Sequence, residues 1–454
     1  MKAEDFQGRR VAVLGLGSTG TALVGRLLEM GAEVLAFDES DSAETAETVG
    51  RLRERGADAR TGQARPSDLA GADLVVASPG VPPHSPSMRS AAEAGVETIG
   101  EIELASRLTE GTIVAVSGTN GKTTTTTLAG EMLKRTGRKV VVAGNIGTPF
   151  VSEVAPQDAD TLYVLEISSF HLAYAPTFRP HVAVLLNVTP DHINWHGSMD
   201  AYVQAKAALF ANQTADDFAV VNASDGRVRE ISRGVASRVV PFSTEPLAEG
   251  VFVEGGAIVA VLGGRHEEIG DAGRLQIRGA HNLENALAAS AAALCAGAYA
   301  RQIGQVLASF EGVEHRLEKV ALVKGVTYWN DSKATNPEAA IKALQSFDEP
   351  LIVLLGGRNK GNSFEELAAV AAERARRAYV FGEARDEIAP ALEGVNVPFE
   401  LVETMDEAVR GAAASACEGD NVLLSPACAS FDEFDNFEQR GATFKSIVDE
   451  MGPR

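Results

Sequence analysis

The residues with the clearest chemistry are Ser117-Gly118-Thr119-Asn120-Gly121-Lys122-Thr123, continued by Thr124, Thr125, Thr126 and Thr127. A β-branched apolar run, Thr112–Val116, precedes them, and Leu128, Met132 and Leu133 follow at helical spacing as far as Gly137. Strand, glycine turn, lysine, hydroxyl residue and helix together make a phosphate cradle. Backbone N–H groups at the helix start face the anion, Lys122 neutralises phosphate charge, and Thr123 reaches Mg²⁺. The full Walker spacing places glycine at position 116, where this chain has Val116, so the loop is a shortened form. A plain glycine turn opening a βα unit is the competing interpretation. The coincidence of Lys122, Thr123 and the strand–helix context weighs against it.

Two more reactive residues fall at the ends of apolar strands. Glu166 closes Thr161–Leu165 and leads into Ile167-Ser168-Ser169-Phe170, and His192 follows Val182–Leu186 through Asn187-Val188-Thr189-Pro190-Asp191. A carboxylate ending a buried strand is costly unless it is paired or metal-bound. Together with His192 it offers ligands suited to Mg²⁺ beside a nucleotide phosphate.

A second glycine loop, Gly15-Leu16-Gly17-Ser18-Thr19-Gly20, follows the apolar strand Arg10–Leu14, and the next strand, Glu33–Phe37, ends at Asp38. This is the dinucleotide fingerprint: a diphosphate on a helix N-terminus, with an acid placed for a ribose. It does not fix which nucleotide binds. Ser78-Pro79-Gly80-Val81 ends the strand Asp73–Ala77, as a ligand loop or a simple turn, and Gly144-Asn145-Ile146-Gly147 ends Val140–Ala143. Further on, Asn282 and Asn285 share one face of an Ala-rich helix. They either hydrogen-bond a base or cap a buried helix end. Three later strands also end in polar clusters: Val326–Asn330 before Asp331–Pro337, Leu351–Leu355 before Gly356–Gly361, and Asn421–Leu424 before Ser425–Phe431.

These strand ends need elements to position them. Strands alternating with helices predict parallel sheets with ligands at their C-terminal edges. The length of 454 residues suggests about three domains. The boundaries are placed at 1–107, 108–312 and 313–454, and the stretch Asp38–Glu47 reads as a polar surface loop. A net charge of −21 excludes the basic stripe a nucleic-acid surface needs. No apolar run is long enough to span a membrane, and the start of the chain lacks a signal-peptide core, so the cytoplasm is the expected location. Cys295, Cys417 and Cys428 lack metal-ligand spacing, and their odd number argues against a disulfide framework.

The clusters resemble the Mur ligase family of ATP-dependent amide-forming enzymes. The resemblance covers essentially the whole chain, through Gly15–Gly20, Gly118–Thr123, Glu166–Phe170, Asp191-His192, His281–Asn285, His315-Arg316, Asn330–Asn336, Ser425–Ser430 and Asn436–Gly441. It implies an α/β fold with a Rossmann-like N-terminal domain, a central P-loop-type ATPase domain with a mostly parallel sheet, and a Rossmann-like C-terminal domain. It also implies ATP and Mg²⁺ as cofactors. The last two motifs resemble most the branch that adds D-glutamate to UDP-N-acetylmuramoyl-L-alanine through an acyl phosphate, in peptidoglycan synthesis. The partners implied are these small molecules alone, with the protein a monomer.

Residue by residue, the resemblance gives Gly118, Thr119, Asn120, Gly121, Lys122, Thr123, Thr124 and Thr125 to the ATP phosphates. Asn282 and Asn285 face adenine, Asp331 the ribose and Arg316 the phosphates. Thr123, Glu166, His192 and a carbamylated Lys206 hold metal, and Lys122, Glu166, His192 and Lys206 carry catalysis. Gly17, Ser18, Thr19, Asp38, Ser78 and Asn145 hold the UDP-linked substrate; Lys333, Thr335, Lys360, Ser430 and Phe437 line the D-glutamate pocket. His171 and Asn194-Trp195-His196 depart from residues commoner in relatives. The alternatives are another Mur-type ligase or a folylpolyglutamate-type synthetase, a non-catalytic nucleotide-binding module, and an NAD-dependent dehydrogenase resting on Gly15–Gly20 and Asp38 alone.

Overall fold

A computed structural model describes residues 2–349 and 351–452, apart from the Asn194 side chain, so that part of the departure at 194–196 lies outside the described residues. The chain divides into two compact units: residues up to Ala272 together with Asn285–Val306, and Gly273–Glu284 together with Leu307 onward.

The first unit holds two sheets. The N-terminal one has five parallel strands in the order Asp58–Thr61, Glu33–Asp38, Arg10–Leu14, Leu74–Ala77, Thr98–Gly100. Val11, Ala12, Val13 and Leu14 are buried without alternation, the pattern of a sheet covered on both faces. The first glycine loop and Asp38 leave adjacent strands at the C-terminal edge, beside the point where strand order reverses. Asp38–Glu47 is not a loop throughout. Helix Ala43–Glu54 begins inside it, because the Ser42 hydroxyl accepts the Thr45 N–H and caps it.

The central sheet has nine strands, ordered Arg265–Asp271, Ala257–Leu262, Gly250–Glu254, Arg238–Ser243, Phe218–Asn222, Val182–Leu185, Thr112–Ser117, Thr161–Glu166, Lys139–Gly144. All pairings are parallel except those made by Ala257–Leu262. Strand Thr112–Ser117 lies centrally, between Val182–Leu185 and Thr161–Glu166, so the phosphate loop emerges flanked by the ends that carry His192 and Glu166. Helix Lys122–Lys134 follows the loop, and its run Thr123–Thr126 is at most 3% exposed. β-Branched threonines are poor helix formers, and burial overrides that preference here.

One hydrophobic core runs through both sheets of this unit. Helix Glu101–Leu108 fastens them. Glu101 accepts the Val151 N–H at 2.6 Å, and Glu103 accepts the Thr177 N–H at 3.0 Å and Arg107 Nε at 2.7 Å.

The second unit has a six-stranded sheet ordered Glu318–Val323, Val326–Asn330, Asn421–Ala427, Leu351–Gly356, Ala375–Phe381, Phe399–Leu401, antiparallel only at its first pair. Leu351, Val353 and Leu355 pack into one core while Ile352 and Leu354 pack into another, so helices cover both faces. Three domains built on mostly parallel α/β sheets are the architecture the sequence implied.

Candidate active site

The phosphate loop is held from several directions. Thr119 N–H donates to the Asn187 carbonyl at 3.0 Å, and Asn120 N–H donates to Asn187 Oδ1 at 2.8 Å. Asn187 Nδ2 returns a bond to the Asn120 carbonyl at 3.1 Å. The Thr119 hydroxyl lies 2.9 Å from the Tyr202 hydroxyl, accepts Thr189 N–H at 3.0 Å and is turned inward. Gly121 has φ of +85°, and a Cβ there would sit 2.2 Å from Asn285 Oδ1, so only glycine fits. That same Asn285 oxygen accepts the Thr125 hydroxyl at 3.3 Å. Thr123 and Thr124 are buried in the first helical turn.

Two lysines converge on one carbonyl. Lys122 Nζ donates to the carbonyls of Gly118 at 2.9 Å and Thr119 at 2.7 Å, and Lys206 Nζ donates to the Gly118 carbonyl at 2.9 Å. Lys206 is 1% exposed, with its Nζ 4.8 Å from the Tyr202 ring centre. Burial first, and then the charge of Lys122, holds its pKa well below the ordinary lysine value. The solvated helix lysine that local reading alone would suggest is excluded at Lys206.

Glu166 closes the neighbouring strand at 3% exposure. Its Oε1 accepts Asn145 Nδ2 at 3.0 Å and its carbonyl accepts Asn145 N–H at 2.9 Å, whereas Oε2 is buried with no hydrogen-bond partner among the described residues. A carboxylate oxygen left bare in the interior costs about 1–3 kcal/mol or more, and a cation is the partner that suits it. Thr123 and Glu166 offer the oxygen ligands that suit Mg²⁺. No cluster of three or more His, Cys, Asp or Glu side chains fit for a metal occurs among the described residues. His192 has φ of +52°, its ring lies 4.7 Å from that of Phe170, and its Nε2 lies 3.3 Å from Asp191 Oδ2. Its side chain is half exposed. His171 is buried with Nδ1 2.6 Å from the Ser168 hydroxyl, and burial lowers its pKa to about 4, so it is neutral.

The first glycine loop borders a cavity of about 380 Å³ lined by Gly17, Ser18, Thr19, Asp38 and Ser78 among others. A Cβ on Gly20 would lie 1.8 Å from the Gly15 carbonyl, while one on Gly17 would meet nothing within 4 Å. Close packing therefore requires Gly20, and the space over Gly17 suits a diphosphate. Asp38 is already engaged: Oδ2 accepts Leu16 N–H at 2.6 Å and Oδ1 accepts Ser40 N–H at 2.9 Å. Asn145 does not line this cavity and bonds Glu166 instead.

In the second unit Asp331 is buried. It accepts Leu317 N–H at 3.2 Å and the Ser425 hydroxyl at 2.8 Å, and burial raises its carboxyl to about 6. Arg316 interacts electrostatically with it, and the Arg316 Nε is buried with no hydrogen-bond partner. Asn282 Nδ2 donates to the Arg278 carbonyl at 2.6 Å. Lys333 Nζ lies 5.3 Å from the Phe437 ring centre. Ser430 is buried, Thr335 half-buried and Lys360 exposed.

Sequence reasoning gave no role to two residues that organise these loops. Asn187 clamps the phosphate loop, and its only signal is an amide directly after a buried strand. Arg440 is fully buried and ties three segments together, through Ser332 Oγ at 3.0 Å, the Ser332 carbonyl at 2.8 Å and the Cys428 carbonyl at 3.1 Å. The Ser332 hydroxyl in turn donates to the Phe437 carbonyl at 2.8 Å. Burial brings Arg440 down to about 10, still charged at neutral pH.

Comparison with known proteins gives three family matches: "Mur ligase MurD-like, N-terminal domain" over residues 9–100, "Mur ligase middle domain" over 116–293, and "Mur ligase, glutamate ligase domain" over 315–428. Among curated relatives, the UDP-N-acetylmuramoylalanine–D-glutamate ligase of Pelotomaculum thermopropionicum is 46% identical over 98% of both chains. That of Koribacter versatilis is 42% identical over 98% of both. Among solved structures, a pseudomurein peptide ligase type C from Methanothermus fervidus aligns with TM-score 0.61 at 17% identity, covering 98% of this chain and all of that one. A MurF ligase from Thermotoga maritima in complex with ADP aligns with TM-score 0.58 at 18% identity, covering 99% of this chain and 97% of that one.

Proposed function

On the premise that the chain belongs to the Mur ligase family, we propose that it joins D-glutamate to UDP-N-acetylmuramoyl-L-alanine at the expense of ATP, in peptidoglycan biosynthesis. One observation supports this reading above the rest. A phosphate loop with its own lysine stands beside a buried carboxylate oxygen that has no hydrogen-bond partner among the described residues. That pairing suits a nucleotide triphosphate with its cation and has no use in hydride transfer.

The alanyl carboxylate oxygen attacks the γ-phosphorus of ATP and the bond to the β,γ-bridging oxygen breaks, giving an acyl phosphate and ADP. The amine of D-glutamate then attacks the acyl carbon, phosphate leaves, and the nitrogen loses a proton. Two anions meet in the first step, so the protein's contribution is positioning and neutralisation of charge. Lys122 leaves its loop carbonyls for the β,γ-phosphates, while the N–H groups of Gly118–Thr125 bind the phosphate oxygens. Mg²⁺, when bound to Thr123, Glu166, His192 and Lys206, supplies positive charge to the phosphates and the acyl oxygen. Asn145 holds Glu166 Oε1 so that Oε2 stays directed away from it.

Lys206 takes part as its carbamate: the neutral amine adds CO₂ and releases a proton, turning a buried donor into an anionic ligand. A neutral amine is what its burial favours. Lys206→Ala loses activity and recovers part of it with acetate or formate; full activity of the unsupplemented variant contradicts the assignment.

Gly17, Ser18, Thr19, Asp38 and Ser78 take the UDP group. Arg316, Asp331, Asn282 and Asn285 take the nucleoside and phosphates of ATP, and Lys333, Thr335, Lys360, Ser430 and Phe437 take D-glutamate. Residues 1–107, 108–312 and 313–454 are the parts that bind UDP substrate, ATP and amino acid. The protein acts as a cytoplasmic monomer; no helix among the described residues is long and apolar enough to cross a membrane.

Phosphate release from ATP, measured with UDP-N-acetylmuramoyl-L-alanine and a panel of amino acids, tests the proposal. Turnover is expected with D-glutamate. Faster turnover with L-glutamate, L-alanine or diaminopimelate overturns the substrate assignment, and phosphate release that ignores the amino acid overturns ligation.

A further inference from the structure

One aromatic cluster in the first unit has members, Tyr174 and Trp195 among them, to which this chemistry gives no part. The Tyr174 hydroxyl donates to the Val81 carbonyl at 2.9 Å, and Val81 lines the cavity of the first glycine loop. The Tyr174 ring meets Trp195 edge-on at 6.3 Å, and Trp195 lies 4.6 Å from Phe170 and 4.5 Å from His196. Phe170 continues to His192 at 4.7 Å, and His196 continues to Tyr202 at 5.2 Å, beside Lys206. The cluster therefore runs from the rim of one ligand cavity to the other glycine loop. A molecule with its diphosphate at the first loop and its carboxylate at the second must pass along it.

At the centre of the cluster, the Trp195 Nε1–H is screened from solvent and has no acceptor among the described residues, although the residue as a whole is only half-buried. The indole nitrogen is a donor only, and buried donors in folded proteins are almost always paired. Of its ring neighbours, Phe170 has no lone pair, Tyr174 turns its hydroxyl to the Val81 carbonyl and His196 holds its Nε2 2.9 Å from the Ser169 hydroxyl, so none of them accepts from the indole and the acceptor is expected from outside the chain. An amphipathic ring of this kind, apolar over its body and polar at one atom, suits a ligand with both characters.

We propose that Trp195 is a substrate-contact and specificity-determining residue. Its ring packs against the acyl-sugar segment that links the diphosphate to the reacting carboxylate, and its N–H donates to a carbonyl oxygen of that segment. This rests on the UDP-linked substrate proposed above. A nucleoside diphosphate without the acyl-sugar segment leaves Trp195 untouched.

The chain has two tryptophans, so Trp329→Phe leaves Trp195 as the sole indole emitter. In the full-length Trp329→Phe protein, UDP-N-acetylmuramoyl-L-alanine is expected to shift Trp195 emission, and UDP alone is not. Trp195→Phe, which keeps a ring and loses the donor, is expected to raise KM for the UDP-linked substrate about tenfold, the worth of one hydrogen bond. The KM values for ATP and D-glutamate stay within about twofold, and Tm is unchanged. An unshifted emission together with wild-type KM overturns the proposal. So does a fall in kcat and Tm with all three KM values unchanged, the result of a purely structural role. Failure of the substrate reading appears separately, as a wild-type protein that does not turn over UDP-N-acetylmuramoyl-L-alanine.

Discussion

Two glycine loops at two parallel-sheet edges are surrounded in different ways. The loop at Gly15–Gly20 opens onto a cavity, carries no lysine, and has its one acid, Asp38, occupied by the N–H groups of Leu16 and Ser40. The loop at Gly118–Thr123 is clamped by Asn187, Tyr202 and Asn285, faces two lysines, and stands beside the bare oxygen of Glu166. A binding site needs room and oriented N–H groups. A site of phosphoryl transfer also needs charges whose desolvation is tolerated before substrate arrives. Under the proposed function, similar glycine chemistry serves anchoring in one place and reaction in the other, and the surrounding side chains decide which.

That contrast is broken most directly at Lys122. Lys122→Ala is expected to lower amino-acid-dependent phosphate release by roughly 10³-fold or more, while calorimetric binding of UDP at the first loop is unaffected. Equal loss of both would show that the two loops do not divide the work.

A buried charge outside either loop sharpens the point. Asp331 has its carboxyl raised by burial from 3.8 to about 6, so the folded state favours the neutral form. The associated stability is fully present below pH 4 and is lost as pH rises through about 6. Between pH 4 and pH 7 wild type is expected to lose about 2 kcal/mol relative to Asp331→Asn, which denaturation at the two pH values measures. A constant difference between the two proteins contradicts the assignment.

Asn187→Ala removes the clamp and leaves every charge in place. Misplacement of the loop is expected to cost about 10–100-fold in kcat, with Tm close to wild type. A wild-type kcat would mean the loop is held by its helix alone. The smallest effects separate two glycines of the anchoring loop. Gly20→Ala places a carbon against the Gly15 carbonyl and is expected to cost roughly 1–3 kcal/mol of stability. Gly17→Ala should stay within about 0.5 kcal/mol and raise KM for the UDP-linked substrate severalfold. Reversed outcomes would exchange the packing and binding roles.

Much of this was legible because it is local. The strand before Gly118, the helix after Lys122 and the fingerprint at Gly15–Gly20 are each contained in about twenty consecutive residues. The residues missed act over distance: Asn187 reaches Asn120 across 67 positions, and Arg440 reaches Ser332 across 108. Neither pairing has a spacing signature. Asp38 shows a subtler limit, since the position expected of a ribose acid is recognisable while its engagement by Leu16 and Ser40 is not. The two lysines at the Gly118 carbonyl were likewise invisible, because burial of Lys206 depends on Tyr202 and on a strand edge far away in sequence.

The central claim is that the loop at Gly118 presents a γ-phosphate to a carboxylate. UDP-N-acetylmuramoyl-L-alanine labelled with ¹⁸O in its alanyl carboxylate tests it, with the released phosphate analysed after turnover with ATP and D-glutamate. The account predicts one ¹⁸O atom from that carboxylate in each phosphate formed. Phosphate free of label, with the amide still produced, would contradict it.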